Sequence, residues 1–387
     1  MGTFLNLMDF SLLESFISIY SVFPNELKLS QFIDHWITTN VSHVVKEKQP
    51  VSKNRINTIY SKGKGKKSVL LVGHLDTVPV VDGWITNPLK PVLKNGKLYG
   101  LGAWDMKAGL YMILQCLKKF EPHNITLKVA FTVDEENYSE GAYHLVKSDF
   151  VKNTKLILVP EPGFDYGHNG LTIGRTGRST YTIYIKGKSV HGSKSQEGIN
   201  AINEAYIFIK EALKLKFNEH QSFGKTSLFP ASITSSQKGF SIPDECTVEI
   251  DCNLVTPDSS QSVLEKLRSL SKKLYRSKIL LYEPNVAYKK RPTPFCEPFM
   301  LDKNNNYVKL CQKVVKYITG KAIVYYRQSV ADECIFAHAL KVPVITIGPE
   351  GKNAHQANES VNIESVETVE KIYMNILNTI DKKINML

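Results

Sequence analysis

At 387 residues, 42% hydrophobic and 22% charged, the chain has the make-up of an ordinary folded protein with length for two or three domains, which excludes disordered, collagen-like and coiled-coil classes. Lys and Arg number 49 against 37 Asp and Glu, a formal charge of +12, yet the lysines are scattered and not interleaved with aromatics as a nucleic-acid groove requires, so a solvated basic surface and no nucleic-acid partner are expected. Six cysteines without a CxxC pair read as reduced thiols rather than a disulfide scaffold.

The first segment, MGTFLNLMDFSLLESFISIYSVFP, has no basic stretch ahead of its apolar residues and carries Asp9 and Glu14, so neither a signal peptide nor a membrane span is expected. Asn6 spoils a myristoylation match. A cytoplasmic location is the default. Leu12, Leu13, Phe16, Ile17 and Tyr20 recur at helical spacing and predict an amphipathic first helix. From Ser68 the runs SVLLVGHLD, AGLYMILQCLKKF, LKVAFTVDEE, EGAYHLVKS and LILVPEP alternate strand and helix, the signature of an α/β domain with a largely parallel sheet. Near Gly174 the pattern changes. STYTIYIKG and CTVEIDCNLV alternate apolar and polar residues, with the helical GINAINEAYIFIKEALKLK between them and SVLEKLRSLSKKLY and KILLYE after. This predicts a small α+β insertion over residues 175–290. The α/β rhythm resumes after PTPF with YVKLCQKVVKYITG, KVPVITIGP and a C-terminal helix from Glu364.

Polar residues cluster just after the apolar strands, where ligands bind in such sheets. His74 and Asp76 end the first run two positions apart on one face, so the imidazole can ligate a metal while the carboxylate fixes its tautomer; a capped turn is the alternative. Asp105 stands between a Gly-rich turn and a helix, as a metal-bridging carboxylate or an N-cap. Asp134, Glu135 and Glu136 follow the next strand, and adjacent carboxylates repel unless a cation or proton separates them; a solvated acidic turn has the same appearance. Glu161 lies between two prolines, and His355 follows the strand VPVITIG. Taken together, His74, Asp105, Glu136, Glu161 and His355 supply ligands for a pair of metal ions, with Glu135 left over as a base.

The segments GHLDTVP, DMKAG, EE, EP, SVHGS and the final His in a GP-containing loop, in this order along essentially the whole chain, resemble the co-catalytic zinc metallopeptidase and amidohydrolase family of acetylornithine deacetylase, succinyl-diaminopimelate desuccinylase, aminoacylase and glutamate carboxypeptidase. The resemblance implies an α/β catalytic domain with a mixed, largely parallel sheet, formed by residues 1–174 and 291–387, and an inserted α+β lid and dimerisation domain at 175–290. It implies that Asp105 bridges two ions, with His74 and Glu161 on one and Glu136 and His355 on the other. Zn2+ suits this donor set, as Co2+ or Mn2+ also would. Glu135 would take the proton of the water between the ions, Asp76 would orient His74, and His191 would reach the partner subunit's active site and stabilise the oxyanion in a homodimer.

The implied reaction is metal-dependent cleavage of the amide bond of an N-acylated amino acid, as in a deacetylase; a dipeptidase or carboxypeptidase is the alternative, and a catalytically silent binding protein a third reading. Silence should leave gaps among Glu135 and the five ligands, and none is missing. Relatives often carry an Arg where this chain has Asn253, and an Asn near Phe240. Substrate specificity therefore does not carry over, and Arg175, Arg178 and Arg327 are the candidate anchors for a substrate carboxylate, or else surface arginines.

Overall fold

The computed structural model describes residues 10–235, 239–273, 278–282 and 296–386. Asn6, Asp9, PTPF and the expected domain boundary at 290–291 lie outside these residues. The chain divides into two compact units, one of Met1–Ile173, Leu301–Tyr325 and Ile335–Leu387, the other of Gly174–Met300 and Tyr326–Cys334.

In the first unit, strands Lys67–His74, Ile125–Thr132, Thr154–Val159 and Val344–Thr346 run parallel through the middle of the sheet. They are buried on both faces over most of their length, which is why they read as largely apolar runs, with Thr126, Lys128 and Lys155 among the exceptions near their starts. Antiparallel pairing completes the sheet on both sides. Arg55–Lys62 pairs with Ile125–Thr132 and with Val44–Ser52, while Thr172 of Gly170–Arg175 pairs with Thr346. Val44–Ser52 has no fully buried position and carries Lys46, Glu47, Lys48 and Pro50, the charges and proline that protect an edge strand from further pairing.

Helix Ala108–Lys119 is buried along nearly its whole length. Gly73 lets it approach the sheet, since a Cβ there would stand 2.7 Å from Met106 and 3.0 Å from Leu110. The first helix, Ser11–Ser18, buries Leu13, Phe16 and Ile17 but leaves Tyr20 outside, exposed. The C-terminal helix Ile363–Lys383 begins at an Asn362 cap and buries a long stripe from Val366 to Ile380.

The second unit is a four-stranded antiparallel sheet in the order Ser227–Ser235, Glu245–Leu254, Gly177–Lys186, Lys278–Tyr282. One face carries helices Ala201–Ala212 and Ser260–Lys273, and Tyr181, Ile183, Phe208, Val248, Ile250, Leu264 and Leu267 form the core between them. Strand Gly177–Lys186 alternates buried and partly exposed positions as its sequence predicts. This unit reaches past residue 290 for a physical reason. Phe299–Met300 pair with Gly174–Arg175, Arg178 and Cys296 exchange backbone hydrogen bonds, and the Thr176 N–H donates to the Arg327 carbonyl at 3.1 Å. Arg327, expected on the catalytic side, belongs to the second unit.

Among the described residues no helix is long and apolar enough to cross a membrane. All six cysteines are buried and none forms a disulfide.

Candidate metal centre

Parallel register sets His74 opposite Thr132 and Val159 opposite Thr346. The segments that follow these strands therefore leave one edge of the sheet together, carrying Glu135 and Glu136, Glu161, and His355. His355 sits in the left-handed region at φ 61. A Cβ at Gly348 would lie 1.6 Å from the Glu161 carbonyl oxygen, so only glycine lets the His355 loop pass Glu161 this closely. Asp105 has an extended backbone (φ −115, ψ 96) just before helix Ala108–Lys119, whose start has no side-chain cap. The N-cap alternative is therefore not the one adopted.

The two oxygens of Asp105 face different imidazoles. Oδ1 lies 3.3 Å from His74 Nε2, and Oδ2 lies 3.2 Å from His355 Nε2. Glu161 Oε1 stands 3.2 Å from His74 Nε2, and Glu136 Oε1 2.8 Å from His355 Nε2. Ligand atoms of His74, Asp105 and Glu136 all lie within 4.8 Å of one another. His74 Nε2 is buried without a well-aligned hydrogen bond although two carboxylates flank it. Such an atom fits a cation, and the imidazole and carboxylate donors suit zinc or a similar divalent ion.

The electrostatics agree with a site built for positive charge. Burial would raise Asp105, but the His355 and His74 imidazoles beside it outweigh that and hold the carboxyl well below its usual range. Glu136 is pushed up to about 7, chiefly by burial, with the Asp105 charge adding to it against the His355 hydrogen bond. Hydrogen bonds to Asp105 and Glu136 lift His355 to about 11. Burial disfavours a charged His74, yet Glu161, Asp105 and Asp76 hold its pKa above the ordinary histidine value. The carboxylates thus demand protons or a metal.

Asp76 acts differently from the sequence expectation. Its backbone carbonyl, 2.9 Å from His74 Nδ1, is the group that sets the imidazole, while its carboxylate stands 3.7 Å from that nitrogen. The carboxylate instead accepts the backbone N–H groups of Glu135 at 3.1 Å and Glu136 at 2.9 Å. Asp134, beside them in sequence, turns away from the cluster at φ 77 and accepts from Arg55 at 3.0 Å, Asn137 at 3.1 Å and the Glu140 N–H at 3.1 Å. Glu135 is half-buried. One buried carboxylate escaped sequence reasoning altogether: Glu359 accepts three backbone N–H groups from the Asp105 segment. Its only sequence signal is its closeness to His355.

The remaining expected residues lie in the second unit. His191 is exposed, accepts from the Ser193 N–H at 3.3 Å and packs edge-on against Phe240. Arg175 is buried and committed to Glu333, at 3.0 Å from Nε and 2.7 Å from Nη2, and to Ser329 at 2.6 Å. This corrects its assignment as a substrate anchor, since its donors are held inside the unit. Arg178 pairs with Asp251 at 2.8 Å and stands opposite Asn253 in the sheet.

Residues 70–379 match Peptidase family M20/M25/M40. An uncharacterised metallohydrolase of Methanocaldococcus jannaschii is 28% identical over 376 residues, covering 90% of each chain. Succinyl-diaminopimelate desuccinylase of a Sulfurovum strain is 23% identical, covering 95% of this chain and 97% of its own. A tripeptidase from Staphylococcus aureus shares the fold at a TM-score of 0.75 and 18% identity, covering 96% and 97% of the two chains. Family match and site geometry agree: the chain belongs to peptidase family M20/M25/M40 and is a metal-dependent hydrolase.

Proposed function

We propose that this hydrolase cleaves the amide bond of an N-acylated amino acid, using two divalent cations, zinc by preference, shared through Asp105. The observation that carries this reading is the division of the two Asp105 oxygens between His74 and His355, with Glu161 beside the first imidazole and Glu136 beside the second. When bound, the ions would polarise the scissile carbonyl and acidify a water. Glu135, held by its N–H to Asp76 and spared from ligation in this scheme, would accept a proton and return it to the departing amine. His191 would donate to the oxyanion across a subunit interface, and Arg178 or Arg327 would meet the substrate carboxylate. The desuccinylase relative supports the acyl-amino-acid reading, and the tripeptidase fold keeps a peptide substrate as the second.

A homodimer is part of this reading. The edge strand Ser227–Ser235 exposes Ile233 on the sheet face that carries the helices and Phe229 on the other face, and helix Ala201–Ala212 exposes Ile202, Tyr206 and Ile207, apolar groups suited to contact with a second copy along this edge. Cytoplasmic residence is supported by the absence of disulfides among the cysteines and by Asn137, whose N-x-S sequon is buried with its amide bound to Asp134.

The test is metal analysis together with a substrate panel. Fully loaded protein should hold two ions per chain, lose hydrolysis on chelation, and recover it with zinc, cobalt or manganese. N-acetyl and N-succinyl amino acids should turn over faster than dipeptides. Glu135→Gln should keep both metals and lose about 10²–10⁴-fold in turnover, whereas Glu136→Gln should lose metal. A fully active protein with one ion would overturn the scheme.

A further inference from the structure

Segment 102–107 has no regular helical bonding at the point where Asp105 must be placed. Asp105 and Met106 lie outside helical backbone angles, so the buried N–H groups near Asp105 need other partners. The side chain of Glu359, 1% exposed, supplies them. Its Oε2 accepts from the Gly102 N–H at 2.7 Å, and its Oε1 accepts from Trp104 and Asp105, both at 2.8 Å. The Glu359 backbone carbonyl takes the Gly100 N–H at 3.1 Å, and Trp104 Nε1 donates to the Pro349 carbonyl at 2.8 Å. The segment that presents Asp105 is therefore fastened to the chain on both sides of His355.

A carboxylate that must face two imidazoles at once tolerates little rotation of its main chain. We propose that Glu359 is a positioning residue, fixing the backbone at Gly102, Trp104 and Asp105 so that the Asp105 carboxylate spans both metal positions, and thereby setting metal affinity. The proposal rests on the two-ion reading above. A glutamine would serve poorly, because its amide has one acceptor oxygen and would turn an N–H donor toward another N–H.

Asp381 provides an internal control. It is likewise buried and accepts three consecutive backbone N–H groups, from His123 at 3.1 Å, Asn124 at 2.8 Å and Ile125 at 3.0 Å, at the amino end of strand Ile125–Thr132. Metal-free full-length chain, Glu359→Gln, Glu359→Asp and Asp381→Asn would be titrated with Co2+, following binding by calorimetry and by the visible absorption of the bound ion. Each protein's thermal midpoint would be recorded alongside. The Glu359 variants should bind Co2+ about 10–100-fold more weakly with an altered spectrum. Asp381→Asn should lose thermal stability but keep wild-type affinity and spectrum. Either Glu359 variant that folds decides the matter, and wild-type binding and spectrum in it would overturn the proposal. Equal weakening in Asp381→Asn would do the same, by tracing the effect to general loosening. Wild-type chain that takes up no Co2+ would instead overturn the two-ion reading and this proposal with it.

Discussion

Asp105 touches one imidazole with each oxygen, and both imidazoles are held by carboxylates above their ordinary pKa. In the metal-free chain those carboxylates favour the protonated imidazoles, so a metal must compete with protons to bind. Metal affinity should therefore strengthen as pH rises from about 5 to 8, and calorimetry in buffers of different ionisation enthalpy should register proton release on uptake. Binding without proton release would remove His74 and His355 from the ligand set. The sign for folding is the reverse. With a folded pKa of about 11 against an ordinary 6.5, His355 stabilises the metal-free fold below its unfolded value and loses that contribution as pH climbs through 11. Half its side chain is exposed, which keeps the effect small.

Turns rather than strands give the site its shape, and buried charges hold those turns. Arg55 lies between Glu26, just ahead of helix Leu27–Asn40, and Asp134, in the turn that presents Glu135 and Glu136, at 2.5 and 3.0 Å. Burial raises both carboxyl groups even with the guanidinium in place. Arg55→Met would leave two buried carboxylates without their cation and should cost about 3–5 kcal/mol in urea unfolding. The loss should shrink as pH falls, because the two groups then protonate and no longer need a counterion. A loss unchanged between neutral and mildly acidic pH would show that Arg55 acts by packing alone.

At the scale of the whole molecule, the proposed dimer makes a prediction that neither unit makes alone. If His191 acts in the partner's site, His191→Ala and Glu135→Gln would each give inactive homodimers, while their mixed dimer would hold one complete site. A statistical mixture is half heterodimer, so reassembling the two mutants should restore roughly a quarter of wild-type activity. Persistent inactivity in demonstrably mixed dimers would confine His191 to its own subunit or remove it from catalysis. The same proposal expects Phe229→Lys, on the exposed edge strand, to shift sedimentation toward monomer.

The parallel strands, their burial, the place of His74, Glu136, Glu161 and His355 at or after the ends of those strands and that of Asp105 ahead of a helix were legible in the residues themselves, because an apolar run is a local pattern and a polar residue beside it is found by adjacency. The edge hairpin Val44–Ser52 and Arg55–Lys62 was not, since its outer strand is charged and has no buried run to betray it. Nor could sequence show that Arg175 is spent on Glu333, that Arg327 joins the second unit, or that Asp76 holds the backbone of Glu135 and Glu136. Those facts depend on contacts between residues far apart in the chain. Glu359 marks the limit most clearly. Its partners lie 254 to 257 positions away, and a side chain that satisfies backbone N–H groups leaves no spacing or periodicity in sequence, so only folding the loops together reveals what it holds.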